Sequence, residues 1–287
     1  MSKSKRMTIK RHKKPKARFS TVIYTLFGAY VLPRRGEVNA TNLIKLIRPL
    51  GFSANAIRLG LSRMSRYGVF RIRKVGRHSY YSLSIKGMKW MEQGRVRAFD
   101  MESKKWDGKW RLVVYNIPEQ YRAFRDRLRS RLHNQGFASL STSLWISPYD
   151  FRSELERFIR DKKMSTYVET FEARYTGQRR QKELAKIAWD VDALTKRYQS
   201  FIDEYSTLPA RCERTAQEGG AMSSADCFAQ RFCMTAEYVA LKLEDPMLPL
   251  ELLPKNWVGA RAERLHDQLW KLLRPSADGF VDSVLQK

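Results

Sequence analysis

Residues 53–84 read SANAIRLGLSRMSRYGVFRIRKVGRHSYYSLS. The first half carries a helical period. Ser53 stands where a helix N-cap is wanted, Ile57, Leu61 and Met64 recur at the spacing of a buried face, and Gly68 supplies a stop. Asn55, Arg58, Ser62 and Arg66 fall on the opposite face. From Val69 the period changes to two. Phe70 and Ile72 share a side with Tyr81 and Leu83, Arg71 and Arg73 take the other side, and Gly76 with Arg77 makes the turn of a hairpin. Its tip carries Lys74, Arg77 and His78.

Two more helices precede this stretch. Phe19, Val22, Ile23, Leu26, Phe27, Tyr30 and Val31 repeat at three and four, and PRRG at 33–36 ends the run. Asn39 then caps a second helix whose inward face is Leu43, Ile44, Ile47 and Leu50. Three helices followed by a two-stranded wing predict a winged helix-turn-helix over 18–100. Its third helix suits the major groove, where Asn, Arg and Ser side chains bond base edges and phosphates. Its wing suits the backbone or the adjacent minor groove, where negative potential is high.

The charge distribution agrees with that reading. The 287-residue chain has a formal net charge of +26, and residues 1–99 hold 24 Lys/Arg against two acids, Glu37 and Glu92. Solvated surface alone does not predict so few acids over a hundred residues, so double-stranded DNA is the expected partner. Residues 1–17 are polar, basic and aperiodic, and read as a disordered arm.

Beyond the wing, residues 85–99 read as a fourth helix and MESKKWDG as a linker. WRLVVYNIP is a short apolar strand ended by Pro118, and the following helix places Tyr121, Phe124, Leu128 and Leu132 on one face. FASL and SLWIS read as two strands, FRSELERFIRDKK as a helix and STYVETFEA as a last strand. The βαββαβ order over 101–176 is that of a ferredoxin-like domain. Residues 177–287 read as helical. One long helix spans 178–205, 208–222 forms a loop or frayed helix, Ser223 with Asp226 caps a helix reaching Glu244, and a final helix ends at Pro275. The expected class is α+β, multidomain.

Cys212, Cys227 and Cys233 are too few and too irregular for a disulfide framework or zinc knuckle, and are expected as reduced core thiols without a metal shared with His266. The N-terminus has no apolar h-region and no run is long enough to span a bilayer, so no membrane association is expected and the cytoplasm is the expected compartment. There is no phosphate-binding Gly-rich loop, HExxH or nucleophile elbow. His133 and His266 sit on predicted helices in surface or core roles. Trp145, Trp189 and Trp257 could line an acyl or adenine pocket, but aromatic residues at this density usually serve a core, and no ligand residue is assigned.

Three stretches in order, AIRLGLSRMSRYGVFRIRKVGRHSYYSLSIKG at 56–87, WDGKW at 106–110 and DPMLPLELLPKNWVGARAERL at 245–265, resemble the PaaX-like family of bacterial transcriptional repressors. The resemblance implies a winged-helix domain, a middle domain similar to the Cas2 fold, and a helical C-terminal domain. It further implies a homodimeric repressor of a catabolic operon, released from its operator by phenylacetyl-CoA or another acyl-CoA, with no other cofactor and no enzyme activity. The family's reading helix maps onto Arg58, Ser62 and Arg63, and its wing onto Gly76, Arg77 and Tyr80. Ala29 stands where an acidic residue is expected after the first helix's LFG, and the long basic arm is not a family hallmark.

Two other readings compete. Cas2-type nucleases resemble the middle stretch, but their first strand ends in an aspartate that helps bind a divalent ion, and the matching residue here is Asn116. A neutral amide is a poor ligand for Mg²⁺, and Asp107, ahead of the strand, is no equivalent. A nonspecific RNA- or single-strand-binding protein would use the basic arm and exposed aromatics, whereas the helix–helix–wing order points to duplex DNA.

Overall fold

The computed structural model describes residues 14–100 and 105–286, except for the side chains of Arg152 and Glu154. Most of the expected basic arm, residues 1–13, and part of the expected linker, residues 101–104, lie outside the described residues. The chain divides into two compact units: 1–100 with 197–243 and 258–287, and 101–196 with 244–257.

In the first unit, α1 (Phe19–Leu26) continues through a wider π-type turn over Phe27–Val31. Strand β1 (Glu37–Asn39) leads into α2 (Ala40–Ile47), where the Asn39 side chain accepts from the Asn42 N–H at 2.8 Å. Then come α3 (Ala54–Arg66), β2 (Phe70–Val75), β3 (His78–Leu83) and α4 (Ile85–Arg95), the last extended by π-type turns over Val96–Asp100. The wing is three-stranded, not two-stranded, because β1 pairs antiparallel with β3 through Val38 opposite Tyr81. Glu-Val-Asn is too short to show an alternation, and its pairing is set by the chain entering α2.

The first unit's core draws on both ends of the chain. Val22, Ile23, Leu26, Tyr30, Leu43, Leu46 and Leu61 pack with Phe228, Phe232 and Ala236 of α10 (Ser224–Glu244) and with Ala277, Val281 and Val284 of α11 (Gly259–Leu285). Helix α10 begins as its sequence suggests, with Ser223 accepting from the Asp226 N–H and donating to the Asp226 carboxylate. The 208–222 stretch forms α9 (Leu208–Gln217) before its loop. Contrary to the expected stop, α11 runs through Pro275. The exposed proline costs a backbone bond, which the burial of Ala277, Val281 and Val284 beyond it offsets.

The second unit contains β4 (Trp110–Tyr115), α5 (Arg122–Asn134), β5 (Ala138–Ser139), β6 (Leu144–Ser147), α6 (Arg152–Asp161) and β7 (Val168–Ala173). Its sheet order is β5-β6-β4-β7 with every pairing antiparallel. Phe124, Leu128 and Leu132 of α5 and Leu155 and Ile159 of α6 pack with Val113, Tyr115, Trp145 and Val168 of the strands. The single helix expected over 178–205 is two, α7 (Gln181–Ala188) and α8 (Val191–Tyr205). Asp190 breaks it in the left-handed region (φ 45°) and accepts from the Ala193 N–H, while the Trp189 indole donates to the Gly136 carbonyl at 2.9 Å. The break leaves Ile187 64% exposed.

Candidate nucleic-acid interface

Helix α3 is held at both ends. At its start the Ser53 hydroxyl accepts from the Ala56 N–H at 3.2 Å. At its end Gly68 is left-handed (φ 72°), the Gly68 N–H donates to Ser65 and the Val69 N–H to Met64, the paired bonds of a Schellman cap. Between them Ile57, Leu61 and Met64 are buried, and Gly60 lets α3 approach α1 so closely that a Cβ there would lie 2.3 Å from the Phe19 ring. With the inward face so occupied, Asn55, Arg58, Ser62 and Arg66 are exposed together, Leu59 stands among them, and Arg63 is exposed at their flank. Arg58 bonds weakly to Asn55 at 3.4 Å, and no carboxylate among the described residues pairs with Arg58, Arg63 or Arg66.

The hairpin pairs in the expected register, Phe70 opposite Leu83 and Ile72 opposite Tyr81. Phe70 anchors its base, touching Phe27 at 5.6 Å and meeting Tyr81 edge-on at 5.4 Å. Gly76 turns the tip with φ 55°, and Lys74, Arg77 and His78 are exposed around it. Tyr80 has a different setting from these three. It is half-buried, opposite Arg73, and the Arg73 guanidinium lies 4.9 Å over its ring. Arg73 is also held by Glu37 through two hydrogen bonds, at 2.5 and 3.3 Å.

That pairing matters for the field of the whole face. Glu37 and Glu92 are the two acids in the first 99 residues. Glu37 pairs with Arg73 and Glu92 with Arg95. Both carboxylates are thus neutralised locally, and α3 with the hairpin tip presents cations and amide or hydroxyl groups beside the exposed Leu59 and Val75, with no acid among them.

Ser84 joins the pieces. Its hydroxyl donates to the Gly68 carbonyl at 2.6 Å and accepts from the Gly87 N–H, its backbone N–H donates to Val69, and Lys86 bonds the Tyr67 carbonyl. Gly87 packs so tightly that a Cβ would lie 2.3 Å from the Val69 oxygen. The end of α3, the root of the hairpin and the start of α4 therefore form one bonded junction. Ser84 and Gly87 are the positioning residues that residue-by-residue reading passes over, although a serine ending a strand three residues before a helical glycine is a capping signal.

In the second unit Asn116 is exposed at the end of β4. Asp107 is bound by both Arg111 Nη atoms, at 2.6 and 2.8 Å, and by the Lys109 N–H, which together hold its carboxyl down at about 2. No group of three or more His, Cys, Asp or Glu residues able to hold a metal occurs among the described residues. Trp145 is buried, and Trp189 stacks on Trp110 in a core that includes Trp257. Cys227 and Cys233 are buried free thiols and Cys212 a half-buried one; burial raises the pKa of all three. His133 is exposed and His266 buried. No helix among the described residues is long and apolar enough to cross a membrane.

Three family models match consecutive parts of the chain: PaaX-like protein over 18–87, PaaX protein central Cas2-like domain over 103–185, and PaaX-like protein C-terminal domain over 189–283. The chain belongs to the PaaX-like family. The Transcriptional repressor PaaX of Escherichia coli (strain K12) is 26% identical to it over 265 residues, 91% of this chain and 82% of that one. Among solved structures, the uncharacterized protein Rv0674 from Mycobacterium tuberculosis aligns over 93% of this chain and 97% of its own, with a TM-score of 0.59 and 22% identity. That likeness is one of fold. PaaX-like proteins are transcriptional regulators rather than enzymes, and the chain stands with them.

Proposed function

We propose that this PaaX-like protein is a sequence-specific, dimeric DNA-binding repressor. In this reading, 18–100 form a winged helix-turn-helix that follows a basic arm (1–17), 101–176 a ferredoxin-like domain, and 177–287 a helical C-terminal domain. The observation that carries the reading is the acid-free face of α3, where Asn55, Arg58, Ser62 and Arg66 stand exposed beside a hairpin tipped by Lys74, Arg77 and His78. Side chains of this kind on a helix read base edges, and the exposed cations take phosphates. Tyr80, braced beneath Arg73, supports the wing's shape, and Arg63 is placed for the backbone beside the groove. The βαββαβ order and the antiparallel β5-β6-β4-β7 sheet favour the ferredoxin-like reading of the middle domain. The relative named a transcriptional repressor supports the regulatory role. Release by an acyl-CoA such as phenylacetyl-CoA rests on the family resemblance.

Fluorescence anisotropy against the protein's own upstream DNA and a scrambled duplex, across a salt series and with and without phenylacetyl-CoA, tests the reading. Selective binding relieved by the thioester is the expected result. Selective binding that the thioester leaves unmoved discards that effector, and equal affinity for both duplexes discards the repressor.

A further inference from the structure

Helix α3 leaves one large apolar side chain in water. Ile57, Leu61 and Met64 are buried, whereas Leu59 is 68% exposed and packs in no core. Asn55, Leu59, Ser62 and Arg66 follow one another at four, three and four residues, the period of one helix face. Asn55, Ser62 and Arg66 are exposed with it. Leu59 therefore stands one turn beyond Asn55 and one turn short of Ser62 and Arg63, inside the polar face rather than at its rim.

A lone exposed leucine is commonplace on an ordinary surface. On a face that meets base edges its chemistry is selective. In the major groove guanine offers two acceptors, cytosine a donor, adenine one of each, and thymine an acceptor beside its C5-methyl group. Leucine bonds none of the polar groups. Set against guanine, adenine or cytosine, it takes water from a donor or acceptor and returns no partner, which costs free energy. Set against thymine, it covers the methyl and removes two apolar surfaces from water together.

We infer that Leu59 reads the C5-methyl of a thymine, and so fixes one base inside the half-site, between the positions reached by Asn55 and Ser62. This role rests on the DNA-binding reading above and adds to it a base identity that neither charge nor hydrogen bonding supplies. Covering one methyl group changes affinity about fourfold, and each copy of the chain on an operator makes the contact once. Arg58, Arg63 and Arg66 hold the helix to the duplex whichever base stands there, so loss of the methyl weakens binding without abolishing it.

Fluorescence anisotropy tests the contact with the protein's own upstream duplex, made once with thymine and once with uracil throughout. Uracil pairs with adenine as thymine does and lacks only the C5-methyl. Wild type, L59A and L59M are titrated with both duplexes and with a scrambled thymine duplex. The wild type should favour the thymine form about fourfold or more. In L59A that ratio should fall by about fourfold, while L59M, which keeps an apolar side chain of similar reach, should retain it. Removing every thymine methyl also alters the shape of the duplex, but all three proteins meet that change, so the difference in ratio between wild type and L59A isolates the side chain. Melting temperatures should match the wild type, since the position is exposed. A wild type indifferent to the methyl groups, or an L59A variant that keeps the wild-type ratio, overturns the role of Leu59 and leaves the repressor standing as long as the upstream duplex is preferred to the scrambled one. Equal wild-type affinity for those two removes the repressor, and the thymine contact with it.

Discussion

The guanidinium of Arg231 lies 3.5 Å over the ring of Trp270 and is 2% exposed. It donates to Asp278 at 3.1 Å and to the Tyr30 hydroxyl at 3.4 Å, so an α10 cation is held between α11 and the end of α1. Truncating a buried side chain leaves a cavity, which a replacement of similar length largely fills. Arg231→Ala should lower unfolding free energy by about 3 kcal/mol or more, and Arg231→Met by clearly less, in urea denaturation. Asp278 also meets Arg34 at 3.8 Å and Arg274 at 3.4 Å, so it retains partners in both variants. Equal losses for Ala and Met would show that the charge, not the volume, is what the site requires.

Two glycines should respond oppositely to the same change. At Gly87 a Cβ meets the Val69 carbonyl at 2.3 Å, and Gly87→Ala should destabilise by roughly 1–3 kcal/mol. At Gly279, inside α11, a Cβ meets nothing within 4 Å, and Gly279→Ala should stabilise by about 0.5–1 kcal/mol through helix propensity. Melting temperatures of the two variants decide both signs at once.

His266 is stacked on Tyr238 at 4.3 Å, with Phe99 and Trp270 on its other contacts. Burial holds its pKa below the ordinary 6.5; Asp267 at 3.1 Å opposes that shift and Arg231 adds to it. The folded state therefore binds fewer protons than the unfolded chain as pH falls through 6.5. Stability from this group is complete above 6.5 and is lost progressively below it. His266→Gln should flatten the decline of the urea midpoint between pH 7.5 and 5. Burial raises the pKa of Glu237, so that group acts with the opposite sign: its contribution is present below 4.5 and lost as pH rises through its folded value. A midpoint that falls equally in wild type and His266→Gln would assign the acid sensitivity elsewhere.

On the proposed reading, substitutions on the basic face should separate base readers from phosphate holders. Arg58→Ala should cost about 1–3 kcal/mol of specific binding and relax the sequence preference if the side chain reads a base, or weaken all duplexes alike if it holds phosphate. Glu37→Gln should do the reverse of a loss. It releases Arg73, adds a free cation to the wing, strengthens nonspecific binding and steepens the salt slope by about one unit, with little change in melting temperature. Anisotropy titrations at several salt concentrations read both effects, and an unchanged slope for Glu37→Gln would place Arg73 outside the contact.

Local chemistry made much of this architecture legible in the sequence. The caps at Asn39, Ser53 and Ser223 form as their side chains dictate, and period three-to-four on α3 against period two on the hairpin set apart the exposed Asn55, Arg58, Ser62 and Arg66. What escaped depends on distant partners. The break at Asp190 is stabilised by the Trp189 bond to Gly136, 53 residues away, while the apolar pattern continues across it. Pro275 sits within a helix because the core beyond it outweighs a local rule. In the candidate site, the Arg73–Glu37 pair spans 36 residues, and nothing near Tyr80 in sequence announces that a cation covers its ring.

The Ser84 junction fixes the geometry of the head. Because one hydroxyl ties the end of α3 to the start of α4 at the root of the hairpin, α3 and the hairpin keep a constant offset. On the proposed reading, one base pair inserted within a half-site moves the flanking phosphates by about 3.4 Å and turns them by roughly 35° relative to the base edges. The head cannot follow such a change by bending. An insertion at the centre of the operator alters only the separation of two intact heads, so the tolerated spacings of natural sites should vary there and nowhere else.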